Sequence, residues 1–464
     1  MSLIYFVVIP LLASFLTPFY KNYLKYISIG VNLLLLFLAI GFVSSAPLVE
    51  NIAFDSALSI SFVFDEASAF FVILFISIML IFSIYNLQNE NRKDIFILSN
   101  ILLCGVLGLV LSGDIFNIYI FFEIVSIVAY ILTSLNRDKQ AYSGAIRYMI
   151  IGSVASIFLL IAIMSIYINI GTLNLVTIGE RFGSMDLNIQ FLILLSLFIG
   201  FGIKAEIFPL NFWVVDIYQA SQNRVNALFS AIISKAYIFL FFHIAYTLKI
   251  EPKFLLFVAI IGAISFAISE LSALSSRDMK RIFAYSTLGQ IGVLFIALSY
   301  GNITVVSGAI FLIALHSITK VMLFFALDIL KDRFNSVKVD IFGKFSSIFL
   351  LLIFSIGFLS LLGLPPFGGF IAKLTILKGL ASLEAYMMIG VILIVSLVEA
   401  VYFFRLLALT QQSSQKELIQ IPLLKKSVLA FLATMIVYFG IFPNDLLGVC
   451  QNVASSLLAG AGNV

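Results

Sequence analysis

Residues Gly200–Tyr237 read GFGIKAEIFPLNFWVVDIYQASQNRVNALFSAIISKAY, with two lysines, Lys204 and Lys235, inside otherwise apolar sequence. Between them stands Pro209, which lacks a backbone donor and cannot continue a helical ladder. A lysine in hydrocarbon costs about 2.5–3.5 kcal/mol on insertion scales. Broken helices at membrane depth persist where they line a cavity or a substrate path. The stretch therefore predicts a membrane-embedded helix break with two working lysines beside it.

The rest of the chain agrees with a membrane setting. Of its 464 residues, 62% are hydrophobic and 11% charged, with a mean hydropathy of +1.16. That excludes an ordinary soluble protein, and no polar stretch is long enough to form a soluble domain. A single membrane domain over 1–464 is expected. Met1–Tyr20 has no basic leader and no small-residue cleavage site, so it reads as a first spanning helix. The two cysteines, Cys104 and Cys450, lie in apolar runs and cannot assemble an iron–sulfur or zinc site. No haem or flavin motif is present. No cofactor and no metal are expected, and any redox chemistry would belong to partner subunits. The net charge of +4 forms no nucleic-acid patch.

Spans of about 20 apolar residues are predicted near 3–19, 24–44, 66–86, 96–112, 114–134, 144–170, 190–217, 224–247, 253–274, 280–299, 304–329, 345–379, 385–408 and 426–448. The fold class is thus an all-α polytopic membrane protein of about fourteen transmembrane helices. Loops after odd-numbered spans hold eighteen Lys and Arg residues and those after even-numbered spans hold four. By the positive-inside rule both termini face away from the cytoplasm.

A second break is signalled by Gly363-Leu364-Pro365-Pro366-Phe367-Gly368-Gly369, followed by Lys373. Breaks in spans 7 and 12 suggest an internal repeat in which spans four to eight match nine to thirteen. With five spans each, the two copies must be inverted. GAIRYMIIGSVAS from Gly144 resembles GAIFLIALHSITK from Gly308, and SKAYIFL from Ser234 resembles VEAVYFF from Val398. The divisions expected are 1–95, a first repeat over 96–250, a second over 251–409, and a C-terminal helix within 410–464.

Ionisable residues inside spans are functional candidates by default. Glu123 is mid-span with no basic residue three or four positions away. It reads either as a proton carrier or as a neutral acid hydrogen-bonded to backbone. Lys204 and Lys235 read as relay groups or as counter-ions to a glutamate. His316 and Lys320 are four apart and share a helix face, which suits a relay. Lys373 follows the second break, and Glu399 lies mid-span with Lys373 or Lys320 as its expected partner. Together Glu123, Lys204, Lys235, His316, Lys320, Lys373 and Glu399 form a candidate proton path, linked by water or hydroxyl groups. Glu206, Glu270 and Asp328 are weaker candidates, His243 reads as structural, and the charges in Ser275–Gly292 read as interfacial anchors.

At this point the chain resembles a known family. SGDIFNIYIFFE (112–123), AIRYMI (145–150), GTLNL (171–175), FGIKAEIFPLNFW (201–213), NALFSAIISKA (226–236), SRDMKRIFAYSTLGQIG (276–292), ALHSITKVMLFF (314–325) and LLGLPPFGGFIAK (361–373) look like the motifs of antiporter-like subunits. These are shared by respiratory complex I, group 4 membrane-bound hydrogenases and Mrp-type cation/proton antiporters. The wording is closest to the D-type Mrp subunit and to hydrogenase-associated subunits. Asn211, Val215, Leu312 and Glu206 depart from the usual pattern. The resemblance implies a proton-translocating subunit with two inverted five-helix repeats. It places the family's conserved glutamate on Glu123, its lysines on Lys204, Lys235 and Lys373, and its His/Lys pair on His316 and Lys320.

The expected function is proton translocation within a larger complex I-related, redox-driven pump, either NADH/quinone oxidoreductase-like or hydrogenase-like. The alternative is the D-type subunit of an Mrp sodium/proton antiporter. A membrane enzyme such as a glycan polymerase would need a larger outer loop bearing Arg or His, and a pure scaffold would not retain a run of buried charges. The expected partners are other membrane subunits, protons or sodium, and the lipid of a prokaryotic inner membrane.

Overall fold

The computed structural model describes residues 2–16, 19, 23–52, 60–88, 93–410 and 417–460. Lys21, Arg92, Lys416 and the Lys93 side chain, all counted above for orientation, lie outside the described set, as do residues 89–92 of the 89–94 loop between the third and fourth spans, which the charge bias predicts to be cytoplasmic.

In chain order the elements begin with α1 (Tyr5–Phe15), α2 (Leu24–Val43), β1 (Leu48–Ile52), β2 (Ile60–Phe64), α3 (Glu66–Tyr85), α4 (Lys93–Leu111) and α5 (Ile115–Thr133). Then come α6 (Lys139–Ile170), α7 (Leu175–Arg181), α8 (Leu187–Lys204), α9 (Val214–Ala220), α10 (Asn223–Leu228), α11 (Ser234–Thr247) and α12 (Pro252–Ser275). They continue with α13 (Met279–Ser299), α14 (Ile303–Phe334), β3 (Phe345–Ser346), α15 (Ile348–Leu362), α16 (Gly368–Ser382) and α17 (Tyr386–Leu409). The chain closes with β4 (Glu417–Leu418), α18 (Leu423–Ile441) and α19 (Asn444–Ala459). Among the described residues, twelve helices are long and apolar enough to cross a membrane, and α1 and α15 are shorter apolar helices.

Three features depart from the predicted pattern of spans, one of them the short parallel pairing of β3 with β4. β1 and β2 form an antiparallel hairpin, with Leu48 opposite Phe64, between the second and third predicted spans. The last predicted span, 426–448, is two elements: α18 stops at Ile441 and α19 starts at Asn444. Pro443 sits between them, where it can open a helix but not extend one.

The helix starts are specified locally. Asp65, Asp114, Asp138, Asn174, Asp278, Asn302 and Ser347 each cap the helix that follows by accepting a backbone N–H. Asp65 and Ser68 form a reciprocal capping box.

Both expected breaks are present. α8 ends at Lys204, and regular helix resumes only at Val214. α15 ends at Leu362, where Gly363 takes the left-handed conformation (φ +76°) and its N–H bonds back to the Ser360 carbonyl. Glycine reaches that region without steric cost. The helix running from Asn223 to Thr247 has a π-helical stretch, Phe229–Ile233, just ahead of Lys235.

The chain divides into two compact units. One comprises Met1–Ala205, Ile232–Glu251 and Asn452–Val464; the other comprises Glu206–Ala231 and Pro252–Gln451. Of the four crossings, two fall at irregular backbone, just after Lys204 and within the π-helical stretch, one falls at Glu251–Pro252 and one within α19. Each unit contains the same local arrangement. In the first, Asp114 bridges Asn174, with Ile115 N–H to Leu173 O and Leu175 N–H to Gly113 O. In the second, Asp278 bridges Lys338, with Met279 N–H to Val337 O and Val339 N–H to Arg277 O. Every partner in the second set lies 164 residues after its counterpart, as do both ends of α14 relative to α6.

Candidate functional site

In the first unit the site is built around Lys204, the last residue of α8, which is 1% exposed. Its ammonium donates to the Tyr130 hydroxyl at 3.0 Å. It also lies over three aromatic faces, 5.5 Å from Phe122, 4.9 Å from Tyr130 and 5.0 Å from Tyr148. Ring quadrupoles replace part of the lost hydration of such a cation. α6 leaves room for this pair at Gly152. A Cβ there would stand 1.9 Å from the Tyr130 oxygen and 2.7 Å from the Lys204 nitrogen.

Glu123 lies on α5, two turns before Tyr130, and its charge acts on Lys204 and Tyr130. It is half-buried, and its Oε1 has no hydrogen-bond partner among the described residues. The lysine thus bonds the phenol rather than forming an ion pair with the carboxylate. Ser126, one turn from Glu123, is a polar neighbour of both the Tyr130 and the Tyr237 phenols. The Tyr237 hydroxyl donates to the Phe122 carbonyl at 3.3 Å. Lys235, on α11 two residues before Tyr237, is fully buried and donates to Ser234 Oγ at 3.3 Å.

In the second unit the central pair is Lys373 and Glu399, 3.0 Å apart and both buried. Of the two partners the sequence offered for Glu399, the structure pairs it with Lys373. The same ammonium donates to the Leu362 carbonyl at 3.2 Å. That carbonyl ends α15, so the lysine stabilises the negative end of the first half of a broken helix. The second Glu399 oxygen accepts from Gln290 Nε2 at 3.0 Å. Lys320, fully buried on α14, donates to the Phe283 carbonyl at 3.0 Å and Ser286 Oγ at 2.9 Å. His316 lies one turn before it and is 1% exposed.

Sequence reasoning underrated several residues here. Glu270 on α12 is 0% exposed and accepts the Tyr402 hydroxyl at 2.7 Å. The only sequence signal was a carboxylate within a predicted span. Asp328, a weaker candidate, lies near a helix end from which a side chain can reach the interface. Instead it is 5% exposed and bonded to Arg224 at 2.7 Å, with Asp332 and Lys425 completing a network. Lys280 was read as an interfacial anchor. It is 4% exposed and donates to the Gln219 and Ser221 carbonyls at 3.1 and 2.5 Å, closing the C-terminal end of α9. Arg405 does the same for α12 through the Leu274 and Ser276 carbonyls, at 3.0 and 3.1 Å. In both cases orphan carbonyls at a helix end are the cation's partners, where for Lys280 an interfacial position was expected.

Chemically, both clusters place an ammonium on a hydroxyl, with carboxylates nearby. Such groups exchange protons readily when partners shift, and no metal-binding group of three or more His, Cys, Asp or Glu occurs among the described residues.

Comparison with known proteins bears on the same segments. Residues 112–398 match the family described as NADH:quinone oxidoreductase/Mrp antiporter, TM. NADH-quinone oxidoreductase subunit N of Desulforudis audaxviator is 30% identical over 311 residues, covering 65% of this chain and 62% of that protein. The D-type subunit of the Na(+)/H(+) antiporter of Alkalihalophilus pseudofirmus is 29% identical over 330 residues, covering 69% of this chain and 66% of that protein. Among solved structures, a chain of the membrane-bound sulfane sulfur reductase, an archaeal respiratory membrane complex, superimposes with a TM-score of 0.94. It is 26% identical, and the match covers 99% of this chain and 98% of that one. A chain of the Mrp complex from Dietzia sp. DQ12-45-1b gives 0.88 at 21% identity over 98% and 97% of the two chains, a likeness of fold.

Proposed function

Because this chain belongs to the NADH:quinone oxidoreductase/Mrp antiporter transmembrane family, of which it is an antiporter-like subunit, we propose that it translocates protons within a larger redox-driven membrane complex. The observation that carries the reading is the state of the buried lysines. Lys204 and Lys320 each donate to a hydroxyl, and Lys373 bridges a carboxylate and a helix-end carbonyl. Each holds a transferable proton next to a group that can take it. The proposed path uses Glu123, Lys204 and Lys235 in the first unit and His316, Lys320, Lys373 and Glu399 in the second. Glu399 accepts from Lys373 and releases towards the outside.

The full architecture is proposed as fourteen spans with two inverted five-helix repeats. The duplicated 113–115/173–175 and 277–279/337–339 pairings support a repeat, and so does the equal length of α6 and α14. At the same offset Lys235 corresponds to Glu399, so equivalent positions carry opposite charge. The proposed location is a prokaryotic cell membrane with both termini on the non-cytoplasmic side and further membrane subunits as partners. Membership in a respiratory complex is favoured by the near-complete superposition on the sulfane sulfur reductase chain.

A second reading, sodium/proton exchange in an Mrp-type assembly, is favoured by the match to the D-type antiporter subunit. Lysines repel sodium, whose ligands are oxygens, so protons remain the preferred cargo. Inverted vesicles carrying the assembled complex, read with a pH-gradient dye, test the function. Lys204→Ala and Glu399→Gln should abolish translocation with the complex intact, and normal translocation in both would overturn the reading. A strict sodium requirement would move the chain to the second reading.

A further inference from the structure

Resting on the proton-path reading, we propose that Glu270 is an additional proton acceptor in the second unit, fed from Lys320 through Ser286 and Tyr402. Glu270 is the one buried carboxylate of this cluster that the path above does not use. Its two oxygens differ. Oε2 accepts the Tyr402 hydroxyl at 2.7 Å, whereas Oε1 has no hydrogen-bond partner among the described residues. Oε1 occupies the space opened by Gly289 on α13, where a Cβ would stand 1.9 Å away. A fully buried charged oxygen without a donor is unfavourable. A carboxylate held in that condition gains when a proton reaches it.

The chain of groups leading to it runs in one direction. Lys320 Nζ donates to Ser286 Oγ at 2.9 Å. The Ser286 hydroxyl is a polar neighbour of the Tyr402 phenol. The Tyr402 hydroxyl donates to Glu270. The first and last links are formed hydrogen bonds, and the middle link, between neighbouring Ser286 and Tyr402 hydroxyls, has to form for the transfer. Tyr402 lies three residues after Glu399 on α17, so it occupies the same face one turn on. Gln290, the residue after Gly289, holds Glu399. Glu270 therefore stands next to the Lys373–Glu399 pair, and the charges of Glu399, Lys373 and Lys320 all act on it.

The transfer balances. The Lys320 ammonium gives a proton to the Ser286 oxygen, Ser286 gives its own to the Tyr402 oxygen, and Tyr402 gives its own to Glu270 Oε2. One N–H and two O–H bonds break while three O–H bonds form. Both hydroxyls are restored, an ammonium and a carboxylate become an amine and a carboxylic acid, and the net charge is unchanged. Before the step two buried lysines face two buried glutamates. After it the Lys373–Glu399 pair remains charged and the other two groups are neutral.

The test compares Glu270→Gln, Glu270→Asp and Tyr402→Phe in vesicles carrying the assembled complex, with the pH-gradient dye and the amount of assembled complex as readouts. Gln keeps the size and hydrogen bonding of the side chain but cannot take a proton, while Asp is shorter but can. A relay predicts at least a tenfold loss in Glu270→Gln with normal assembly, and partial recovery in Glu270→Asp. A packing role predicts the reverse order and would overturn the proposal. If Glu270→Gln does not assemble, Tyr402→Phe decides, since it removes only the hydroxyl. A tenfold loss there supports the relay and full translocation refutes it. Full translocation in Glu270→Gln while Lys204→Ala and Glu399→Gln are inactive would sink this inference alone. Full translocation in all of these variants would sink the proton-path reading itself.

Discussion

Gly152→Ala probes the Lys204–Tyr130 contact without touching an ionisable group. The added Cβ would meet the Tyr130 oxygen at 1.9 Å and the Lys204 nitrogen at 2.7 Å. Non-bonded heavy atoms settle near about 3.5 Å, so the phenol oxygen must retreat by roughly 1.6 Å. The 3.0 Å hydrogen bond to Lys204 cannot survive that shift in its present geometry. A hydrogen bond to a charged group contributes about 1.5–3 kcal/mol, and each 1.36 kcal/mol is about tenfold in rate. If the contact carries the proton, translocation should fall by about 10- to 150-fold with the complex still assembled. Gly41→Ala is the control, because no atom lies within 4 Å of a Cβ built there. Tyr130→Phe removes the nearest clashing atom and the hydrogen bond itself, while the Cβ still meets the Lys204 nitrogen at 2.7 Å and the ring Cζ at 2.8 Å, so the Gly152→Ala/Tyr130→Phe double variant should lose less than the product of the two single losses. Wild-type translocation in Gly152→Ala, or losses that simply multiply in the double variant, would refute the reasoning.

Two further predictions concern stability and orientation. Arg224→Ala leaves the buried Asp328 carboxylate without its 2.7 Å partner, a change that costs about 3–5 kcal/mol. The level of assembled complex should drop sharply, and adding Asp328→Asn should restore part of it; equal losses in single and double variants would contradict the pairing. A cysteine placed at Asn91 should react with an impermeant maleimide only after permeabilisation, and labelling in intact cells would reverse the proposed orientation. The background should be low, because Cys104 and Cys450 are buried and burial pushes the Cys450 thiol up to about 12.

Much of this was legible in the sequence for a physical reason. A charge in an apolar run is expensive, so Lys204, Lys235, Lys320, Lys373 and Glu399 announced themselves, and the structure buries all five. Pro209 and the Gly363–Gly369 run marked the breaks because they remove donors or need unusual backbone. Tyr130, Ser126, Ser286 and Tyr402 gave no signal. Serine and tyrosine are common in membrane helices, and what distinguishes these four is their position across helices, which no local pattern encodes. Gly152 and Gly289 were silent for the same reason, since their value is the space they leave for Tyr130 and Glu270. Lys280 and Arg405 were misread or left aside because a cation near a helix end has two uses. It can anchor at the interface, or it can close the orphan carbonyls of a neighbouring helix, and only the packing distinguishes them.

The two clusters obey one rule with different endings. Each begins with a buried lysine whose ammonium donates to a hydroxyl, Tyr130 in one unit and Ser286 in the other. Each then has serine and tyrosine hydroxyls as neighbours, Ser126 with Tyr237 and Ser286 with Tyr402. The endings differ in charge. The Tyr237 phenol donates to the Phe122 backbone carbonyl, whereas Tyr402 donates to a carboxylate. A carbonyl cannot retain a transferred proton, but a carboxylate can. On the proposed path, proton storage would fall to Lys235 and Glu123 in the first unit and to Glu270 and Glu399 in the second. At the same place in the repeated pattern, 164 residues apart, Lys235 and Glu399 carry opposite charge.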